Sequence, residues 1–226
     1  MEYEVVIVGA GPAGLAAAIR LKQLKQELSV CVLEKASMIG APMLSGCVME
    51  PGPLDALLPE WSESKPAICV EAKRDEFWYL SRQSAWRLPN PPQMHNRGNF
   101  ILSLGLLIPW LAQRAEALGV DVFPGFAAAE ALIEDGRVAG IRLGDMGLAK
   151  DGTPGPKHAP GADIRAGTTI LAEGCRGSVT KEVITRLGLD AGREPQTYGL
   201  GFKELWQLPP GRAEPGLIQH PVGWPV

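Results

Sequence analysis

Long apolar runs are missing from this 226-residue chain, and no stretch approaches the roughly 20 residues that a membrane-spanning helix needs. Cysteine is scarce and scattered. Cys31, Cys47, Cys69 and Cys175 lie far apart with no Cys-x-x-Cys pair, which excludes a zinc knuckle or a run of iron–sulfur ligands. His95, His158 and His220 are equally dispersed, so no metal-ligating set is expected, and no residue stands out as a catalytic acid, base or nucleophile. Basic runs are absent too, and the net charge of −3 argues against a nucleic-acid partner. No leader is expected, since the first apolar strand already begins at Val5; a start in a reducing cytosol is the expectation. What is abundant is hydrophobic residue, 46% of the chain, ample for a packed core of about one to one and a half domains.

Residues 5–34 carry the strongest signal. An apolar run at residues 5–8 feeds Gly9-Ala10-Gly11-Pro12-Ala13-Gly14, and a helical pattern follows with Leu15, Ala18, Ile19 and Leu21 on one face. A second apolar run, residues 30–33, ends on Glu34. This is a strand–turn–helix–strand unit with the spacing of a dinucleotide site. Gly9 permits the tight turn, Gly11 lets backbone approach a diphosphate, and Gly14 lets the helix pack closely on the sheet. The positive helix end faces the phosphates. Glu34, about twenty residues beyond Gly14, is placed to accept from a ribose diol. Physics alone does not separate FAD from NAD here; the motif's place near Met1 and the Pro12-Ala13 pair lean towards FAD.

Further along, Ser45 and Gly46 sit in a glycine- and serine-bearing loop whose backbone suits a cofactor wall, although an ordinary loop fits as well. A short helix is expected over residues 51–58 and a strand over 76–81. The latter lies in a segment rich in aromatics (Trp61, Phe77, Trp78, Tyr79, Trp86), with prolines imposing an extended course after Trp86. Those aromatics read either as a surface dipping into a bilayer interface or as packing beneath a second sheet, and spacing alone favours packing. Residues 105–118 read as a helix with Pro109 tolerated in its first turn. Glu134-Asp135-Gly136 reads as a hairpin turn between strands at 127–133 and 137–143. Residues 144–161 read as a long exposed loop. A strand at 168–172 meets Glu173-Gly174 and a helix running to Leu187, a second strand-to-glycine turn facing the same ligand. An alternating strand is expected at 198–206. The chain then closes on Trp224-Pro225-Val226 without a solvated tail, and reads as a piece of a longer protein.

These residues resemble one family closely: the electron-transfer flavoprotein–ubiquinone oxidoreductases. The likeness runs through Glu34-Lys35-Ala36-Ser37, Leu44-Ser45-Gly46, residues 94–100, Lys150-Asp151-Gly152, Ala172-Glu173-Gly174-Cys175-Arg176-Gly177, residues 195–201, Lys203-Glu204-Leu205-Trp206 and Val222-Gly223-Trp224-Pro225. It implies an α/β fold: a Rossmann-like, glutathione-reductase-type FAD-binding domain with part of an interleaved α+β quinone-binding domain. The expected layout is a first FAD-domain segment at 1–75, quinone- and membrane-facing residues at 76–99, a second FAD segment at 100–190 and the start of the quinone domain at 191–226. The implied cofactor contacts are Gly9, Gly11, Pro12, Ala13, Gly14, Glu34, Lys35, Ser45 and Gly46, then Ala128, Ala172, Glu173 and Gly174. The implied activity is electron transfer from reduced electron-transfer flavoprotein, through FAD and a [4Fe-4S] cluster, to ubiquinone. The cluster is expected only in a C-terminal part that this chain lacks. The resemblance turns the aromatic segment towards the membrane reading, with monotopic attachment at the cytoplasmic face of a bacterial inner membrane. A FAD-dependent monooxygenase, an isoprenoid reductase and a non-catalytic nucleotide-binding fragment remain the alternatives.

Overall fold

The computed structural model describes residues 1–43, 46–149 and 151–224, apart from the side chains of residues 64–67. Leu44, Ser45, Lys150, Pro225 and Val226 lie outside the described residues. The chain begins with β1 (Glu2–Val8), α1 (Pro12–Leu24) and β2 (Val30–Glu34). It continues through β3 (Cys47–Met49), α2 (Gly52–Leu57), α3 (Trp61–Ile68), β4 (Cys69–Glu71), β5 (Arg74–Leu80), β6 (Ala85–Leu88) and β7 (Phe100–Leu102). Then come α4 (Leu104–Ala117), β8 (Asp121–Pro124), β9 (Ala128–Glu134), β10 (Arg137–Leu143), β11 (Met146–Leu148), β12 (Pro154–Ala159), β13 (Asp163–Leu171), α5 (Ser178–Leu187) and β14 (Leu217–Gly223).

Two compact units alternate along the chain: residues 1–43 with 107–200, and residues 44–106 with 201–226. Residues 44–75, which the sequence assigned to the first unit, go with the second. The reason is strand pairing: β3 and β4 both hydrogen-bond to β7, in the order β3-β7-β4.

The first unit is built on a six-stranded sheet ordered β8-β2-β1-β13-β10-β9. β1 pairs in parallel with both β2 and β13, with Val8 level with Leu33 on one side and Leu171 on the other. A parallel strand enclosed in this way must be apolar on both faces, and residues 5–8 are buried throughout. Val6, Val8, Cys31 and Leu33 join Ile141, Ile164, Val179 and Val183 in one core beneath α5; each such side chain contributes roughly 1.5–3 kcal/mol by leaving water. α1 covers the opposite face, where Gly14 closes on Ile7. Its buried stripe is Leu15, Ala18, Ile19 and Lys22. Lys22 takes the place expected for Leu21, because its Nζ donates to the Leu28 carbonyl at 3.0 Å.

Several expectations need correction. Pro109 lies inside α4 rather than in its first turn, since the helix starts at Leu104; its ring abuts Gly40, where a Cβ would stand 3.0 Å from the Pro109 Cδ. The hairpin turn between β9 and β10 is as read, with Asp135 at φ 50° and Gly136 at φ 75°. Within residues 144–161, however, two segments are strand and not loop. β11 and β12 pair antiparallel, and Asp145 fixes the ends by accepting from Gly161 N at 2.8 Å and contacting His158 Nε2 at 3.2 Å.

In the second unit Trp61 is fully buried and meets Phe100 edge-on, with ring centroids 5.4 Å apart. A further sheet, ordered β14-β5-β6, has β14 parallel and β6 antiparallel to β5. Buried Glu76 holds this sheet together by accepting from Trp78 Nε1 and Gln219 Nε2, each at 3.0 Å. The alternating strand expected at 198–206 does not form: residues 193–209 carry no regular element. Alternation supplies two faces but not the partner strand that a ladder requires. No helix among the described residues is long and apolar enough to cross a membrane.

Candidate dinucleotide site

Three parallel strands, β2, β1 and β13, end side by side and their C-terminal loops enclose a cavity of about 760 Å³ in the first unit. This is where ligands bind on open α/β sheets, and the volume falls within the roughly 300–1,000 Å³ usual for small-molecule sites. Gly9, Gly11, Pro12, Ala13, Glu34, Lys35, Ala128, Ala172, Glu173 and Gly174 all line it. Among the expected contacts, Gly14 does not line the cavity but packs beneath it. Gly46 belongs to the second unit, where its carbonyl accepts from Lys203 Nζ at 2.6 Å. Ser45 lies outside the described residues.

The three motif glycines answer to different constraints. Gly9 has φ +104°, and a Cβ there would stand 2.5 Å from the Ala172 carbonyl oxygen. A Cβ on Gly14 would stand 2.0 Å from the Gly9 oxygen. Both glycines are therefore required by the fold itself. Gly11 is not: its φ of −78° suits any residue, and a Cβ would meet only the Met43 methyl at 3.5 Å. The added atom would stand at the cavity wall, so glycine at 11 makes sense only if something else must come close.

That position is also the start of α1. Gly11 is its N-cap residue and Pro12 its first residue; no side chain caps it and no acid stands in its first turn. The amides there carry roughly half a positive charge and face the cavity unneutralised, as an anion-binding end does. Glu34 stands beside them, 7% exposed, with Oε2 accepting from Ala10 N at 3.1 Å and Oε1 from Ala36 N at 2.8 Å. Two backbone bonds fix the carboxylate and leave acceptor capacity on each oxygen for a diol.

The second glycine turn behaves differently. Glu173 Oε1 accepts from Ser178 N at 3.0 Å and Val179 N at 3.2 Å, while Oε2 accepts from Thr180 N and Thr180 Oγ1, both at 2.7 Å. The carboxylate, expected as a cofactor contact, lines the cavity and also caps α5, consuming its free amides. One helix end is closed by the protein's own anion and the other is left open. Sequence reasoning did not pick out Pro42, Met43, Arg176 or Ser178, which also line the cavity; Arg176 lay within the quoted turn motif but had no assigned role.

Comparison with known proteins fits this geometry. The family model described as pyridine nucleotide-disulphide oxidoreductase matches residues 3–79, and the one described as ETF-QO, ubiquinone-binding matches residues 198–226. An electron transfer flavoprotein-ubiquinone oxidoreductase of Pseudomonas aeruginosa is 50% identical over 236 residues, covering 100% of this chain and 43% of the relative. The mitochondrial protein of that name from rice is 48% identical over 233 residues, covering 100% of this chain and 40% of the relative. The human one is 45% identical over 234 residues, at 100% and 38%. The chain thus spans about two fifths of these relatives. Among solved structures, a myxobacterial FAD-dependent chondrochloren halogenase aligns with TM-score 0.56 at 17% identity, over 80% of this chain and 39% of that one. A geranylgeranyl bacteriochlorophyll reductase-like protein from Thermoplasma acidophilum aligns with TM-score 0.54 at 24% identity, over 76% and 39%. At such identities the likeness speaks for the fold.

Proposed function

Since the chain belongs to the electron transfer flavoprotein–ubiquinone oxidoreductase family along its whole length, we propose that its first unit binds FAD and its second forms part of a quinone-binding region. The full-length enzyme in this reading takes electrons from reduced electron-transfer flavoprotein and delivers them to ubiquinone. Its [4Fe-4S] cluster belongs to a part of the protein outside these residues, in keeping with the scattered positions of Cys31, Cys47, Cys69 and Cys175.

The observation that carries the reading is Gly11, a cavity-lining residue at which the fold does not require the lack of a side chain. The fit to FAD is good on independent grounds: an uncapped helix start for the diphosphate, a fixed buried carboxylate for the ribose, and a cavity of suitable size. FAD, when bound, supplies the electron-accepting ring. The chain's own residues position it. The α1 amides hold the diphosphate, Glu34 accepts from the ribose hydroxyls, and Ala128 and Ala172 offer small apolar walls.

The second unit supports the membrane part of the proposal. Tyr79, Trp86 and Val222 fall level across β5, β6 and β14 and are 46%, 51% and 40% exposed. The Tyr79 and Trp86 rings stack at 5.8 Å. Such an aromatic face suits the headgroup level of a bilayer, consistent with monotopic attachment at an inner-membrane surface.

Two measurements test the proposal. Gly11→Val should fold as the parent does and lose flavin absorbance after purification; retained flavin contradicts the site. In full-length protein, reduced electron-transfer flavoprotein should drive quinone reduction while NAD(P)H does not, and the reverse outcome favours the monooxygenase or isoprenoid-reductase alternative.

A further inference from the structure

The cavity has a charge pattern that the glycine motif alone does not account for. A dinucleotide brings a negative charge on each of its two phosphoryl groups, whereas an open helix start offers only roughly half a positive charge. Among the residues lining the cavity there are two cations, Lys35 and Arg176. The lining acids are already engaged with backbone amides: Glu34 with Ala10 and Ala36, and Glu173 with Ser178, Val179 and Thr180.

The order of the strands places the two cations on opposite flanks. Lys35 directly follows β2 and Arg176 follows β13, with the glycine turn of β1 between them. Lys35 therefore stands beside Glu34, at the ribose end. Arg176 stands on the other side, where Ala172 touches the Gly9 turn so closely that a Cβ on Gly9 would come within 2.5 Å of the Ala172 oxygen. Arg176 is exposed and has no ion-pair partner among the described residues. Its guanidinium lies over the Tyr198 ring, 5.1 Å from the centroid, an arrangement that steadies the side chain without neutralising it. The Tyr198 hydroxyl is itself tied to Gln196 Oε1 at 3.2 Å.

The geometry points to Arg176 as a second diphosphate-binding group, a cation held ready on an aromatic ring that closes over the phosphates bound at the α1 start. This rests on the dinucleotide reading above and adds to it a specific residue and a specific chemistry. The guanidinium donates to phosphoryl oxygens in a fork geometry, and Glu173 assists by filling the α5 start, which keeps the anion from settling there instead.

The test is equilibrium binding to the chain of FAD and ADP-ribose, which share the diphosphate, and of riboflavin, which has none, at low and high salt. Arg176→Gln should weaken FAD and ADP-ribose by about tenfold at low salt, with the deficit shrinking as salt screens the charge. Riboflavin affinity should not change, and Arg176→Lys should recover most of the loss. Unchanged FAD and ADP-ribose affinities overturn the inference, as does an equal loss for riboflavin or a deficit indifferent to salt. A parent chain that binds ADP-ribose but not FAD defeats the flavin reading alone, and the ADP-ribose arm then decides Arg176 by itself. A parent chain that binds neither overturns both.

Discussion

Gly9, Gly11 and Gly14 look equivalent in the sequence and are not equivalent in space. Gly14→Ala forces a Cβ to 2.0 Å from a backbone oxygen, so helix and strand must part; the expected cost is at least about 2 kcal/mol, read as a lowered denaturation midpoint. Gly11→Val should leave that midpoint nearly unchanged. Equal destabilisation by both substitutions would show that Gly11 is structural after all. The spacing of the motif was legible because it is a local, one-dimensional property. The division of labour among the glycines was not, because it depends on what each absent Cβ would meet. Asp75 provides a second test at this scale. Burial works against its charge, but Asn96 N at 2.8 Å, Asn96 Nδ2 at 2.6 Å and His220 Nε2 at 3.1 Å outweigh it and hold its acidity below the ordinary carboxylate value. A carboxylate depressed in the folded state stabilises fully above its unfolded value, about 4, and loses that contribution as pH falls through the folded one. Stability should therefore drop in that acidic window, and Asp75→Asn should flatten the drop. A melting profile that keeps its acid slope in this variant would contradict the assignment.

The two helix starts at the cavity make the contrast between elements. α1 begins without a side-chain cap, whereas α5 is capped by an acid that precedes it by a glycine turn. That acid was legible as chemistry but not as a cap, since no capping-box spacing marks it. Glu173→Ala should lower stability by about 1 kcal/mol, the usual worth of a cap, measured by denaturant titration. No change would mean that solvent caps α5 equally well. The remaining misreadings were also failures of pairing. Residues 144–161 are rich in glycine and proline yet form β11 and β12, because Asp145 clamps their ends. Residues 198–206 alternate well and form no strand, because no neighbour pairs with them.

Over the whole molecule, the fold class was legible because β1, α1 and β2 follow one another without interruption, and the rest of the parallel sheet builds on that nucleus. The breaks between the units were harder to place. Residues 46–75 contain no long periodic element, and what assigns them is pairing: β3 and β4 with β7, and the start of β5 with β14. The aromatic face of β5, β6 and β14 carries the prediction proper to this scale. The chain should co-sediment with phospholipid vesicles, and Tyr79→Ser with Trp86→Ser should abolish this while leaving flavin binding intact. Vesicle binding that survives the double substitution would place the contact elsewhere.

The most direct test of the dinucleotide site is a crystal structure of the chain grown with FAD. The expected result is a diphosphate on the Gly11 and Ala13 amides, with ribose hydroxyls within about 2.7–3.2 Å of the Glu34 carboxylate. A flavin found with its diphosphate at the α5 start, or its ribose away from Glu34, would contradict the account.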